Sequence, residues 1–185
     1  YIRIGDNEYE IKDADVSELI GKKVTAFVKG SEGEAWVAYI CDTEKYNNIL
    51  LIDADDIDDF SNNRYSYDDN GEYKKARTAQ DKKLIYNYKL LADYSDDKLK
   101  PAYGSAELID NNRDGKYDII KALDYQTFVV SSIDYETGIV YDSIEGKSID
   151  LKQDEDLTII NGKATQKIDA IRNGDVLTIA QSSGG

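Results

Sequence analysis

The chain contains no histidine, no methionine, one cysteine and one proline in 185 residues. Without histidine, serine–histidine–aspartate and cysteine–histidine catalysis are excluded within the chain. So is a zinc site of the usual cysteine/histidine kind. The single cysteine, Cys41, cannot form an intramolecular disulfide. It lies in the strand-like run Ala35–Cys41, where a buried, inert thiol is expected. With no methionine and Tyr1 at its start, the sequence reads as an excised segment or the mature piece of something larger. No apolar run approaches the roughly 20 residues needed to cross a bilayer as a helix. No glycine-rich phosphate loop is present either. Gly30-Ser31-Glu32-Gly33 places an acid between its glycines and reads as a hairpin turn.

What the chain has in excess is acid. Asp and Glu number 37 against 23 Lys and Arg, a formal charge of −14. Such a surface repels phosphate backbones and anionic lipid heads, which argues against nucleic-acid partners and membrane insertion. It favours hard divalent cations, which take oxygen ligands. Hydrophobic residues make up 41% of the chain, enough for a packed core.

Tyr, Val, Ile and Thr are frequent, and short apolar runs are punctuated by Asn-Gly, Asp-Gly and Thr-Gly. This predicts a mainly β fold of two small antiparallel units, barrel- or sandwich-like, with one or two short helices. The expected strands are Tyr1–Ile4, Glu8–Lys12, Lys23–Lys29, Ala35–Cys41, Ile49–Ile52 and Leu84–Leu90. They continue with Ser105–Ile109, Tyr117–Leu123, Thr127–Ile133, Gly138–Tyr141, Ser148–Leu151, Leu157–Ile160 and Val176–Ala180. Asp15–Gly21 has a capping-box spacing and a terminating glycine, so it predicts a helix of one or two turns. Residues 168–174 and 76–83 are further candidates for a turn of helix. Asp53–Gly71 is so polar that it predicts a long loop or hairpin excursion. Charged residues and the only proline cluster in Asp93–Pro101, which places the expected domain seam there: 1–100 and 101–185.

One segment carries chemistry. In Asp110-Asn111-Asn112-Arg113-Asp114-Gly115-Lys116-Tyr117-Asp118, Asp110, Asn112, Asp114 and Asp118 fall at loop positions 1, 3, 5 and 9. Gly115 falls where such a loop must turn, and the carbonyl of Lys116 would add an oxygen. Alternate oxygens in a tight loop can converge on calcium, which takes six to eight of them at about 2.3–2.6 Å. An EF-hand would need a bidentate glutamate at position 12 and flanking helices. That position is Lys121, and both flanks look extended. A strand–loop–strand calcium hairpin is the reading adopted, set against a solvated turn rich in Asp and Asn. The acidic run Asp53–Asp59 lacks a glycine and an ordered ligand spacing, and predicts a solvated face. Of the 15 tyrosines, Tyr65/Tyr67 and Tyr86/Tyr88 alternate, so each pair would share a strand face. They suit either half-buried sheet positions or platforms for sugar rings. Trp36 is expected in or near the core.

The Asp/Gly loop resembles the calcium-binding hairpin of FG-GAP and related extracellular repeats. Further segments are Leu19-Ile20-Gly21-Lys22-Lys23-Val24, Ile85-Tyr86-Asn87, Gly104–Asp110 running into Asp114–Asp118, and Asn173-Gly174-Asp175-Val176-Leu177. Together they resemble β-rich modules in cell-surface proteins of Gram-positive anaerobes that carry S-layer homology domains. The resemblance implies an extracellular, non-catalytic structural or adhesive module. Its implied partners are cell-wall or extracellular polysaccharide or neighbouring surface-protein domains. No S-layer homology repeat is present in the chain itself. A carbohydrate-binding module using tyrosine faces and a phage or appendage structural protein are the alternative expectations.

Overall fold

The computed structural model describes residues 1–11, 16–30, 35–152, 157–161 and 164–182. The fold is mainly β, and its described helical segments are short 3₁₀ turns. The chain divides into two compact units, Tyr1–Asp124 and Tyr125–Gly185.

The first unit begins with β1 (Ile2–Ile4), β2 (Asn7–Ile11), β3 (Val24–Lys29) and β4 (Trp36–Asp42). They form a four-stranded sheet ordered β1-β2-β4-β3. The remaining strands are β5 (Asn48–Asp53), β6 (Ile57–Ser61), β7 (Arg64–Asp69), β8 (Glu72–Tyr86), β9 (Lys89–Leu91), β10 (Gly104–Asp110) and β11 (Tyr117–Asp124). They make a larger sheet ordered β5-β10-β11-β8-β7-β6, with β9 on the far half of β8. In its interior, β10 and β11 pair antiparallel from Gly104↔Asp124 to Ile109↔Ile119. β11 then lies parallel to the second half of β8, with Ile120 opposite Leu84. The core collects Ile52, Tyr65, Leu84, Leu99, Leu108 and Ile120, all at or near complete burial.

Of the sequence expectations, one is resolved and two change here. The polar stretch 53–71, expected as a long loop or hairpin excursion, is the β6–β7 hairpin. Its acids Asp55, Asp56, Asp58 and Asp59 face solvent while Ala54, Ile57, Tyr65 and Tyr67 are buried. Residues 76–83 are strand, not helix. There the buried positions are the small Ala76, Thr78 and Ala79, and ladder pairing on both sides outweighs the polar composition. The segment Asp93–Pro101 does not separate two units. A 3₁₀ turn at Asp96–Leu99 sends Leu99 into the core, and Pro101 is fully buried. Strands β10 and β11 therefore belong to the first unit's sheet, and the division falls at Asp124/Tyr125.

Other expectations compare as follows. The short helix near Asp15–Gly21 is a 3₁₀ turn at Ser17–Leu19, and its proposed cap Asp15 lies outside the described residues. So does most of the expected turn Gly30–Gly33. Cys41 is half-buried, its thiol 3.8 Å from the Thr25 carbonyl. Trp36 is half-buried as well.

The second unit contains β12 (Gln126–Asp134), β13 (Ile139–Asp142), β14 (Ser148–Asp150), β15 (Ile159–Asn161), β16 (Ala164–Gln166) and β17 (Val176–Ile179). Four of them form an antiparallel sheet ordered β14-β13-β12-β17, and β15 pairs with β16. The core is Val130, Val140, Leu151 and Ile171. The β12–β13 connection is the four-residue loop Tyr135–Gly138, with the Glu136 N–H donating to Asp134 Oδ1 at 2.9 Å.

Asp142 is this unit's buried acid. It accepts N–H groups from Glu145 (2.6 Å), Ile144 (3.2 Å) and Val129 (2.8 Å). The Glu145 N–H above all holds its carboxyl below the usual range, against the opposing effect of burial. A depressed carboxyl pKa stabilises the fold above the unfolded-state pKa, and that stabilisation is lost as pH falls through the folded-state value. The second unit is therefore expected to lose melting temperature below about pH 4, and Asp142→Asn to remove part of that acid-side slope. Thermal melts of both proteins across acidic pH check this.

Candidate metal loop

The loop joins two interior strands of the first unit's larger sheet, so its ends are fixed by the β10–β11 ladder. Asp110 ends β10 and is only 2% exposed. A carboxylate buried at a strand end needs donors, and the turning chain supplies them. Its Oδ1 accepts the N–H groups of Asn112 at 3.2 Å and Arg113 at 2.6 Å, and its Oδ2 that of Gly115 at 3.1 Å. Two more side chains repeat the move. Asn112 Oδ1 accepts the Asp114 N–H at 2.8 Å, and Asp114 Oδ1 accepts the Lys116 N–H at 2.8 Å. The result is three successive Asx turns, each from residue i to residue i+2, which is why Asp and Asn occupy alternate positions. Gly115 takes the left-handed conformation at φ +84°, as the sequence anticipated, and Arg113 also does so at φ +65°.

Asp118 closes the loop from the start of β11. Its Oδ1 accepts the Asn112 side-chain amide at 3.0 Å and its Oδ2 the Asn111 N–H at 3.2 Å. Burial lifts the Asp118 carboxyl above the usual range. The Asn111 N–H opposes this, while the charges of Asp114, Asp110 and Asp81 add to it. Tyr117 is raised too, by burial first and then by Tyr67 and Asp110. The loop thus concentrates negative potential on Asp118.

Of the five residues singled out in the sequence, Asp110, Asn112 and Asp118 are joined through direct hydrogen bonds. Asp114 stands farther out, and the Lys116 ammonium lies 3.7 Å from its Oδ2. Among the described residues, no three Asp, Glu, His or Cys side chains form a ready metal cage. A cation held by these residues would have to displace the Asn112 amide from Asp118 and the Lys116 ammonium from Asp114. Both displacements are side-chain rotations.

Two contributors lay outside the alternating pattern. Asn111 both steadies Asp118 and donates its side-chain amide to the Gly21 carbonyl at 3.1 Å. Gly21 sits at the foot of the hairpin at φ +85°, and a Cβ there would stand 2.9 Å from Ile119 Cγ2 and 3.3 Å from Ile109 Cδ1. Gly21→Ala is therefore strained in backbone and in packing. It is expected to cost about 1–3 kcal/mol, read as a lower urea midpoint at unchanged slope. Asp81 acts only through its charge. Long-range contacts of this kind have no local sequence signal.

The tyrosine pairs resolve differently. Tyr65 and Tyr67 share the core face of β7 and cannot stack on a ligand sugar. Tyr86 donates its hydroxyl to Asp124 Oδ2 at 2.9 Å, and Tyr88 lies beyond the end of β8 in a tight turn at φ +69°. Those two do not form a common platform.

Comparison with protein-family models, with curated proteins and with solved structures found no match. Among the described residues, no helix is long and apolar enough to cross a membrane.

Proposed function

We propose that this chain is a non-catalytic structural or adhesive module of a secreted bacterial cell-surface protein, with calcium stiffening the hairpin between β10 and β11. The observation that carries the reading is the loop itself. Three successive Asx turns, held at both ends by the β10–β11 ladder, space Asp110, Asn112 and Asp114 along the loop, with Asp118 at its exit. Burial first, and then its acidic neighbours, hold the Asp118 carboxyl above its usual range, and a divalent cation would relieve the repulsion among those acids. Calcium would be held by Asp110, Asn112, Asp114 and Asp118 with the Lys116 carbonyl. Its role is mechanical, because the strands it would tie together are interior neighbours in the sheet. The extracellular setting and the polysaccharide or surface-protein partners rest on the sequence resemblance. Melting the full chain in calcium and in chelator, alongside Asp114→Ala, tests the proposal. Calcium is expected to raise the melting temperature of the wild type and not of the variant. Identical wild-type curves in calcium and chelator would refute it.

A further inference from the structure

Positive charge is scarce in this chain, yet one place gathers it. In the β7–β8 ladder Arg64 is the direct cross-strand partner of Arg77, and Ser66 that of Lys75. Directly opposed side chains in an antiparallel pair lie on one face with their Cβ atoms about 5 Å apart, and like charges there repel. Some lysines are paired, Lys74 with Asp69, Lys121 with Glu107 at 3.1 Å and Lys22 with Asp42 at 3.6 Å, and others stand alone on the surface. Among the described residues, no carboxylate pairs with Arg64, Lys75 or Arg77, and neither guanidinium makes a side-chain hydrogen bond. Lys75 has only the Tyr73 ring, 5.7 Å away. What sets this cluster apart is that two of its cations oppose each other directly across one ladder.

The same three residues line a cavity of about 400 Å³. Leu50, Tyr67 and Tyr117 give it apolar and aromatic walls, and Gly115 of the loop reaches its rim. That volume falls in the range of small-ligand sites. Beyond Arg77, Thr78 stands opposite Tyr117 in the β8–β11 ladder, and its Oγ1 is buried with no hydrogen-bond partner. Two guanidiniums side by side provide paired donors whose fork matches the oxygens of one carboxylate, sulfate or phosphate.

We infer that this cavity binds the oxyanion group of a small acidic ligand, with Arg64 and Arg77 taking its oxygens, Lys75 adding charge, and the half-buried Tyr117 beside the organic part. The site does not depend on calcium and is tested in chelator. Titration calorimetry of the full chain with sodium galacturonate, inorganic phosphate and sulfate, and with neutral galactose as control, gives the answer. At least one anion is expected to bind saturably, and galactose not at all. The preferred anion tells a carboxylate from a tetrahedral oxyanion. Arg64→Gln and Arg77→Gln should each weaken binding roughly tenfold or more, while Lys89→Gln, on β9, should not. Each arginine variant should also melt no lower than the wild type, since it relieves a repulsion, and the bound anion should raise only the wild type's melting temperature. Absence of saturable binding by all three anions would overturn the inference. So would equal binding by wild type and Arg77→Gln, or equal binding of galactose.

Discussion

Tyr65→Ala is expected to unfold most of the first unit's margin of stability, costing about 3–5 kcal/mol. Tyr65 is 0% exposed, its ring lies 4.7 Å from that of Phe60, and its hydroxyl donates to the Leu99 carbonyl. Burial, with the charges of Tyr94 and Asp96, drives the phenol far above its ordinary pKa, so it stays a protonated donor at every working pH. The contact ties the β6–β7 hairpin to the 3₁₀ turn that carries Leu99. Alanine removes both the packing and the tie. Phenylalanine keeps the packing and leaves one buried carbonyl unpaired, a smaller cost of about 1–3 kcal/mol. Against a total stability of about 5–15 kcal/mol for a domain, the alanine variant should show a visibly populated unfolded state on mild heating. Urea unfolding of the three proteins checks the order: wild type, then Phe, then Ala.

The second large effect is at Asp110. Its two oxygens hold three N–H groups of the loop, and it is nearly inaccessible to water. Asp110→Ala strands those donors and should cost roughly 2–3 kcal/mol even in chelator. It should also abolish any response to calcium. Asp114 is about half exposed, with a side-chain accessibility of 46%, and its carboxylate serves one N–H and one lysine. Asp114→Ala is therefore expected to leave stability in chelator close to the wild type while removing the calcium response. The contrast separates the acid that scaffolds the loop from the one proposed to face the ion. Melting curves with and without calcium read both.

The sequence was most informative where structure is local. The β10–β11 hairpin, the turn at Asp134–Gly138 and the Asx spacing of the metal loop follow from alternation and turn chemistry, and each sits where those rules put it. The reading ran out where pairing is distant. Half of β8 is the string Glu72-Tyr73-Lys74-Lys75-Ala76-Arg77, and nothing local marks it as a strand. It is one because β7 pairs along its first half and β11, parallel and far away in sequence, takes over from Thr78. Pro101 and its charged neighbours resembled a linker for a similar reason. One apolar residue, Leu99, decides which way the segment folds, and its partners Tyr65 and Leu108 lie elsewhere in the chain. In the loop, the alternating acids were visible, but Gly21, held by the Asn111 amide, and Asp81 reach it only through the tertiary fold.

Calcium in the loop is the claim on which the functional reading turns, and a pair of melting curves tests it most directly. At calcium about a hundredfold above the dissociation constant, binding to the folded state alone adds about 2.7 kcal/mol. For a unit of this size that is a rise of roughly 10 °C relative to chelator. The account predicts that rise in the wild type and none in Asp114→Ala. Superimposable wild-type curves in millimolar calcium and in chelator would contradict it.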